Sequence, residues 1–279
     1  MDRWIDDPAN ADGNRSQRPD TASVIVEALL RRDRVIVLGA LVVITSLAWA
    51  YLLAGAGMEM DMQGMDMNMV MPMEWTPGYA LVVFLMWWLM MTAMMLPGVA
   101  PLILLFALVN RRCREQGAPY VPTAVFASGY LLVWGAFSLA ATLLQCSMQK
   151  AGWLTMGMAS AYPWLGGALL LAAGIYQFTP FKHACLRHCR GPIEFIARHW
   201  RPGYGGALRM GMKHGAYCAG CCWLVMGLLF YGGVMNLYWI VGLALLVLLE
   251  KLLPAGHALG RFSGAGFIAW GVWHLAAAV

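Results

Sequence analysis

Three groups of soft metal ligands mark this sequence, and their chemistry changes along the chain. Between residues 58 and 73 stand eight methionines: Met58, Met60, Met62, Met65, Met67, Met69, Met71 and Met73. Small or acidic residues separate them, and no Lys or Arg interrupts the run. Thioether sulfur is a soft, neutral ligand that suits Cu(I) and needs no deprotonation, so it works in an acidic or oxidising compartment. Four carboxylates, Glu59, Asp61, Asp66 and Glu74, raise the local cation concentration and could first hold Cu(II). A polar linker in a Met-rich chain is the competing reading, since Met also fills irregular cores. A core stripe would be flanked by other hydrophobes. Here the neighbours are Asp, Glu, Asn and Gln, which favours metal capture.

The second group is a row in an apolar stretch. Met86, Met90 and Met94 recur every four residues, with Met91 and Met95 beside them. Side chains four apart share one helical face, so Met90/Met94 and Met91/Met95 each form a rung. Ordinary lipid or helix packing produces such a stripe too. Position supports the ligand reading: the row starts after the acidic Met loop and runs toward Pro97, where freed carbonyls could line a cavity.

The third group replaces thioether by thiol and imidazole. His183, Cys185, His188 and Cys189 lie close together, and His214, Cys218, Cys221 and Cys222 follow. On a helix the second quartet spans i, i+4 and i, i+3 steps and shares one broad face, with Gly215 and Gly220 leaving room for close approach. Thiolate plus imidazole fits Cu(I) or zinc, and the spacing is not that of a zinc finger. Three bland readings compete: Cys as a small apolar residue, a structural zinc staple, and a redox dithiol. The last is weakest, because cytoplasmic thiols stay reduced. Five of the seven Cys fall in this one segment, which favours a metal site. Cys113 and Cys146 lie elsewhere and receive no role. Glu250, beside Lys251, is an acidic residue at membrane depth; it is expected to support a histidine or Lys213, against the alternative that both residues snorkel to the interface.

The elements that must position these ligands are apolar helices. Of the 279 residues 61% are hydrophobic and 12% charged, about half the charge of a soluble domain. Runs near the ~20 residues needed to cross a bilayer occur at 35–54, 77–110, 121–145, 163–181, 216–235, 237–253 and 263–279, the second kinked or broken at Pro97. The reading is an all-α polytopic membrane protein with about seven transmembrane helices. Residues 1–34 form a cytoplasmic tail without the pattern of a cleaved leader, 55–76 the Met-rich outer loop, and 182–215 the Cys/His-rich inner segment. With the N-terminus inside, eighteen of the 19 Lys and Arg fall on the inner side and only Lys150 falls outside. That bias follows the positive-inside rule and points to the bacterial inner membrane. It also accounts for the net charge of +5 without nucleic acid.

The motifs resemble a known family. Met90-Met91-Thr92-Ala93-Met94-Met95-Leu96-Pro97 with Pro101, then Gly174-Ile175-Tyr176-Gln177, Pro180 through Pro192, His214-Gly215 through Met226, Gly233-Val234-Met235-Asn236 and Glu250-Lys251 form one pattern. It is similar to that of a bacterial domain-of-unknown-function family described as predicted metal-binding integral membrane proteins. The likeness runs from about Trp75 to Arg261. It departs at Gly98-Val99, where Ser-Ala is usual, and leaves both prolines intact. The resemblance implies metal binding and supplies no mechanism.

Three functions are therefore expected in order. The first is copper handling, with capture at the outer Met loop, passage along the Met row and delivery to the inner Cys/His site and a metallochaperone. Zinc is the alternative metal. The second is a membrane metalloenzyme or oxidoreductase subunit. The third is a metal-insertion or assembly factor for another membrane protein, with the basic, aromatic stretch 191–210 as a docking surface. That stretch reads more simply as an interfacial helix lying on anionic lipid. No nucleotide-binding loop is present, so any transport is passive or ion-coupled.

Overall fold

The computed structural model describes residues 21–55, 74–117, 121–155 and 157–277. The methionine loop at 58–73 lies outside the described residues. Those described form ten helices: α1 (Thr21–Leu53), α2 (Pro77–Glu115), α3 (Thr123–Lys150), α4 (Pro163–Tyr176), α5 (Pro180–Arg190), α6 (Pro192–His199), α7 (Gly203–Gly227), α8 (Leu229–Gly232), α9 (Leu237–Leu252) and α10 (Gly256–Ala276). The extended backbone among them amounts to one isolated bridge, Leu154 with Ser160.

Helix starts follow from local chemistry. Thr76 accepts a hydrogen bond from the Tyr79 amide at 3.2 Å and Pro77 follows it. Thr179 accepts from the Lys182 amide at 3.3 Å ahead of Pro180 in the same way. Asn236 caps α9 through the Trp239 amide at 3.3 Å. Each cap satisfies an amide that the first turn leaves free, and proline at the first positions gives up a donor that had no partner.

Four segments are long and apolar enough to cross a membrane: Val35–Leu53, Pro77–Glu115, Thr123–Lys150 and Gly203–Gly232. α4 is apolar but only 14 residues long. The boundaries differ from the hydropathy reading at three places. Of the kink or break expected at Pro97, the break is absent: α2 continues through Pro97 and Pro101 as one helix of 39 residues. The run at 163–181 divides at the Thr179-Pro180 start of a new helix. The basic stretch 191–210 is split between α6 and the first turns of α7, which begins at Gly203 rather than 216.

Backbone contact between helices is made at glycines. α3 packs most extensively on α7, where a Cβ on Gly129 would collide with the Leu208 carbonyl and one on Gly211 with the Phe126 carbonyl. α4 and α10 meet similarly: a Cβ on Gly174 would stand 2.7 Å from Ile268 Cγ1 and one on Gly264 2.6 Å from Gln177 Cβ. Small residues let two helices approach until backbones touch, which supplies packing energy where burial of apolar surface supplies little. α5 then lies along α7, and α9 touches both α2 and α7. The ligand-bearing faces of α2, α5, α7 and α9 are thereby turned toward one interior.

Candidate metal centre

All five methionines of the α2 row are interior: Met86, Met90, Met91, Met94 and Met95 are each at most 3% exposed. Packing against lipid is thus excluded for the row. Its last member makes the contacts that matter. Met95 Sδ lies 4.0 Å from Cys222 Sγ and 3.6 Å from the Lys251 ammonium, and its carbonyl accepts from the Tyr130 hydroxyl at 3.2 Å.

Cys218, Cys221 and Cys222 are buried on α7. The thiols of Cys221 and Cys222 donate to the Cys218 carbonyl at 3.1 and 3.0 Å, the i−3 and i−4 bonds that a thiol on a helix can make. Cys218 Sγ receives Lys251 Nζ at 3.0 Å and meets the Tyr130 hydroxyl at 3.1 Å. From α5, Cys189 faces Cys218 and Cys221; interaction with those thiols, then burial, pushes its own thiol well above the usual range. Cys185 approaches through a notch: a Cβ on Gly220 would stand 2.9 Å from its sulfur. Tyr176 seals the same spot by donating to the Gly220 carbonyl.

The histidines disperse. His183 leaves the thiols and meets His257 of α10, Nδ1 to Nδ1 at 3.2 Å. His188 stacks on Tyr217 with ring centroids 4.2 Å apart and bonds the Ala184 carbonyl at 2.9 Å. His214 is 3% exposed, one turn from Cys218, with its ring 5.0 Å from that of Phe195. Its Nδ1 is buried with no hydrogen-bond partner, so it keeps ligand capacity. An imidazole nitrogen without a partner in an interior is costly unless something uses it.

The support expected from Glu250 to a histidine or to Lys213 is not what the fold provides. Glu250 is 1% exposed and pairs with Lys182, Oε2 to Nζ at 2.6 Å. Gln177 completes the set: it donates to Glu250 Oε1 and Ser263 Oγ, both at 3.0 Å, and accepts from Lys182. Snorkelling is excluded as well, since Lys251 is only 7% exposed. Lys251, Tyr130, Lys182 and Gln177 are the residues that sequence reasoning missed. The Glu250-Lys251 pair at membrane depth was the available signal for Lys251.

Among the described residues no three His, Cys, Asp or Glu side chains stand in a ready metal-holding arrangement. The set that does converge is sulfur-based and includes a thioether: Met95, Cys218 and Cys222, with Cys189 and Cys221 beside them. Its chemistry fits a soft monovalent ion.

An all-helical bundle with apolar helices of membrane-crossing length thus encloses thiols and thioethers, the ligand types that soft metals take. The chain is a member of the PpoB2 family, described as a copper chaperone, which it matches over residues 84–274. That stretch contains the methionine row, every Cys and His of the inner segment, and Glu250; the outer methionine loop precedes it. No curated protein and no solved structure matches the chain.

Proposed function

We propose that this chain is a multi-pass protein of the bacterial inner membrane that takes up Cu(I) as cargo and passes it inward. Capture falls to the methionines at 58–73. Passage follows Met90, Met91, Met94 and Met95, and the receiving site is built from Cys218 and Cys222 with Cys189, Cys221 and His214 around them. The observation that carries the reading is the contact of Met95 with Cys222, where the thioether row ends on the thiol cluster. Exchange from thioether to thiolate runs toward the stronger soft ligand, so the gradient is inward. With the seven spans and cytoplasmic N-terminus read from the sequence, the acidic Met loop lies outside and the thiols near the reducing side. Copper then leaves to an acceptor protein. Membership in a copper chaperone family favours donation to a partner over turnover of a substrate, so the assembly-factor reading joins the first, and metalloenzyme chemistry has no observation in its support.

The test is elemental analysis of the detergent-purified chain beside a Cys218→Ser/Cys222→Ser variant and a chain lacking residues 58–73. Copper bound by the wild type and by the loop deletion, and lost from the double variant, is expected. In cells, the loop deletion combined with Met90→Leu and Met94→Leu should lower copper transfer; unchanged copper handling there would reject the inward route.

A further inference from the structure

A groove of about 750 Å³ opens between α2 and α3, far from the thiols. Leu81, Phe84 and Trp88 form one wall, and Leu132, Leu139 and Leu143 the other. Leu81, Leu132, Leu139 and Leu143 are each more than half exposed, so the groove faces the surroundings of the bundle. Two of its polar groups are satisfied on α3 itself: Thr142 donates to the Ser138 carbonyl at 2.8 Å and the Trp88 indole to the Leu131 carbonyl at 3.0 Å. Lys150 is the charged residue of the lining and stands at its outer end. It has no ion pair among the described residues, and no carboxylate lines the groove beside it. In the orientation read from the sequence it is also the one Lys or Arg of 19 that falls outside, against the positive-inside trend.

We propose that this groove binds one acidic phospholipid of the outer leaflet, with the phosphate at the Lys150 ammonium and an acyl chain lying toward Trp88. The proposal goes beyond the copper reading and rests on its membrane orientation alone. Length favours a lipid over a helix of another protein. On the α2 side the lining runs from Trp75 to Trp88, about 20 Å of helix, which is the depth of one leaflet with its headgroups. A crossing helix would need about 30 Å of apolar surface, and the rest of α2, to Glu115, lies outside the groove. Charge selects the headgroup. Lipid tails are as apolar as leucine, so burying a chain here gains little over leaving it in the bilayer. Preference must come from the ammonium, whose aliphatic stem can follow the apolar wall while its head stays at the interface. An acidic headgroup answers that charge; a choline headgroup brings a second cation with no carboxylate to meet it.

The experiment places the full-length chain in phosphatidylcholine vesicles with a trace of phosphatidylglycerol or phosphatidylcholine carrying the same photoactivatable acyl chain, and maps the crosslinked peptides by mass spectrometry. Groove peptides of α2 and α3 should take the phosphatidylglycerol probe about fivefold more than the phosphatidylcholine one, the ratio that about 1 kcal/mol per lysine at an anionic lipid gives. Lys150→Gln should bring the ratio near one, and Lys150→Arg should keep it. Ala136→Trp, at an exposed position of the lining, should fill the groove and abolish its labelling by both probes; Leu132→Trp serves if that variant fails to fold. Equal labelling by the two probes in the wild type, or a preference that survives Lys150→Gln, overturns the proposal. Groove labelling that persists in the filled variant overturns it too, as do crosslinks between two chains in place of lipid. A chain that does not partition into vesicles rejects the membrane reading and this site with it. The readout involves no metal, so the copper reading and this one fail separately.

Discussion

Glu250 and Lys251 are neighbours in sequence and belong to different parts of the molecule. Consecutive residues on a helix point about 100° apart, so α9 sends its carboxylate toward α5 and α10 and its ammonium toward α2 and α7. On one side Lys182, Glu250, Gln177 and Ser263 form a set in which opposite charges meet through oxygen and nitrogen. On the other, Lys251 faces Cys218 and Met95 and the balance depends on sulfur. The first region has matched charge and no spare ligand, which makes it a structural tie between three helices. The second has polarisable sulfur and, one turn from Cys218, a His214 Nδ1 without a hydrogen-bond partner, the features on which the copper proposal rests. Charge that is fully paired holds a fold together; charge paired through thiols can be exchanged.

Breaking the structural tie gives the largest effect. Glu250→Ala strips the partner from a lysine that is 1% exposed and should cost about 3–5 kcal/mol, because the remaining charge is buried and unmatched. Thermal unfolding in detergent measures this. Replacing both members, Lys182→Met with Glu250→Leu, should recover most of the loss. Copper bound per folded molecule should not change in the double variant. If it falls, the two regions are one.

The complementary variant is Cys218→Ser. It removes the sulfur that Lys251 and Tyr130 share, and should lower Cu(I) affinity by about 100-fold, measured by chelator competition. Its stability should fall less than that of Glu250→Ala, because serine keeps a hydrogen-bonding group beside the ammonium. A loss of stability equal to that of Glu250→Ala with copper binding intact would reverse the assignment of the two regions.

The sequence was most legible where chemistry repeats along one helix. The i, i+4 spacing of Met90, Met91, Met94 and Met95 and the quartet from His214 to Cys222 put each set on one helical face without any knowledge of neighbours, because helical periodicity alone places them, and both faces are buried. What could not be read is pairing between helices. Glu250 finds Lys182 and Gln177 across 68 and 73 residues of chain, and no local rule selects them over Lys213. His183 shares a short segment with Cys185 and Cys189, yet its position on α5 carries it to His257. Lys251 was visible as a charge in an apolar run, but its role depends on Met95, 156 residues away. Hydropathy placed the apolar runs and misjudged their limits where capping chemistry overrides it, as at Thr179-Pro180.

A finer cut separates the end of the methionine row from its middle. Met95→Leu and Met90→Leu conserve volume, and each should cost less than about 1.5 kcal/mol of stability. Met95 is the row member whose sulfur meets the cluster, at Cys222, so its loss should weaken Cu(I) by about tenfold or more. Met90→Leu should leave equilibrium affinity alone and slow the filling of the site from a thioether donor, followed by stopped-flow. Equal effects of the two on affinity would place the copper site higher on α2 than the thiols.

The smallest effect concerns the histidines that the fold keeps out of the sulfur region. His183 and His257 sit 3.2 Å apart at Nδ1, and burial, then nearby cations, lower both below the usual histidine value: Arg261 and Lys182 act on His183, Arg190 and Arg187 on His257. Glu250 opposes the shift at His183. A histidine that is harder to protonate in the folded chain makes the unfolded chain bind more protons, so stability rises with pH. The penalty should be absent above the unfolded value near 6.5, grow as pH falls through it, and stop growing below the lowered folded values. Both side chains are largely solvated, which keeps the effect small. His257→Gln leaves one imidazole without its twin and should flatten the decline in melting temperature between about pH 7 and pH 5. Copper affinity at pH 7 should stay as it was, since neither ring touches Met95, Cys218 or Cys222; a loss of affinity in that variant would bring α10 into the metal region and erase the division that α9 draws.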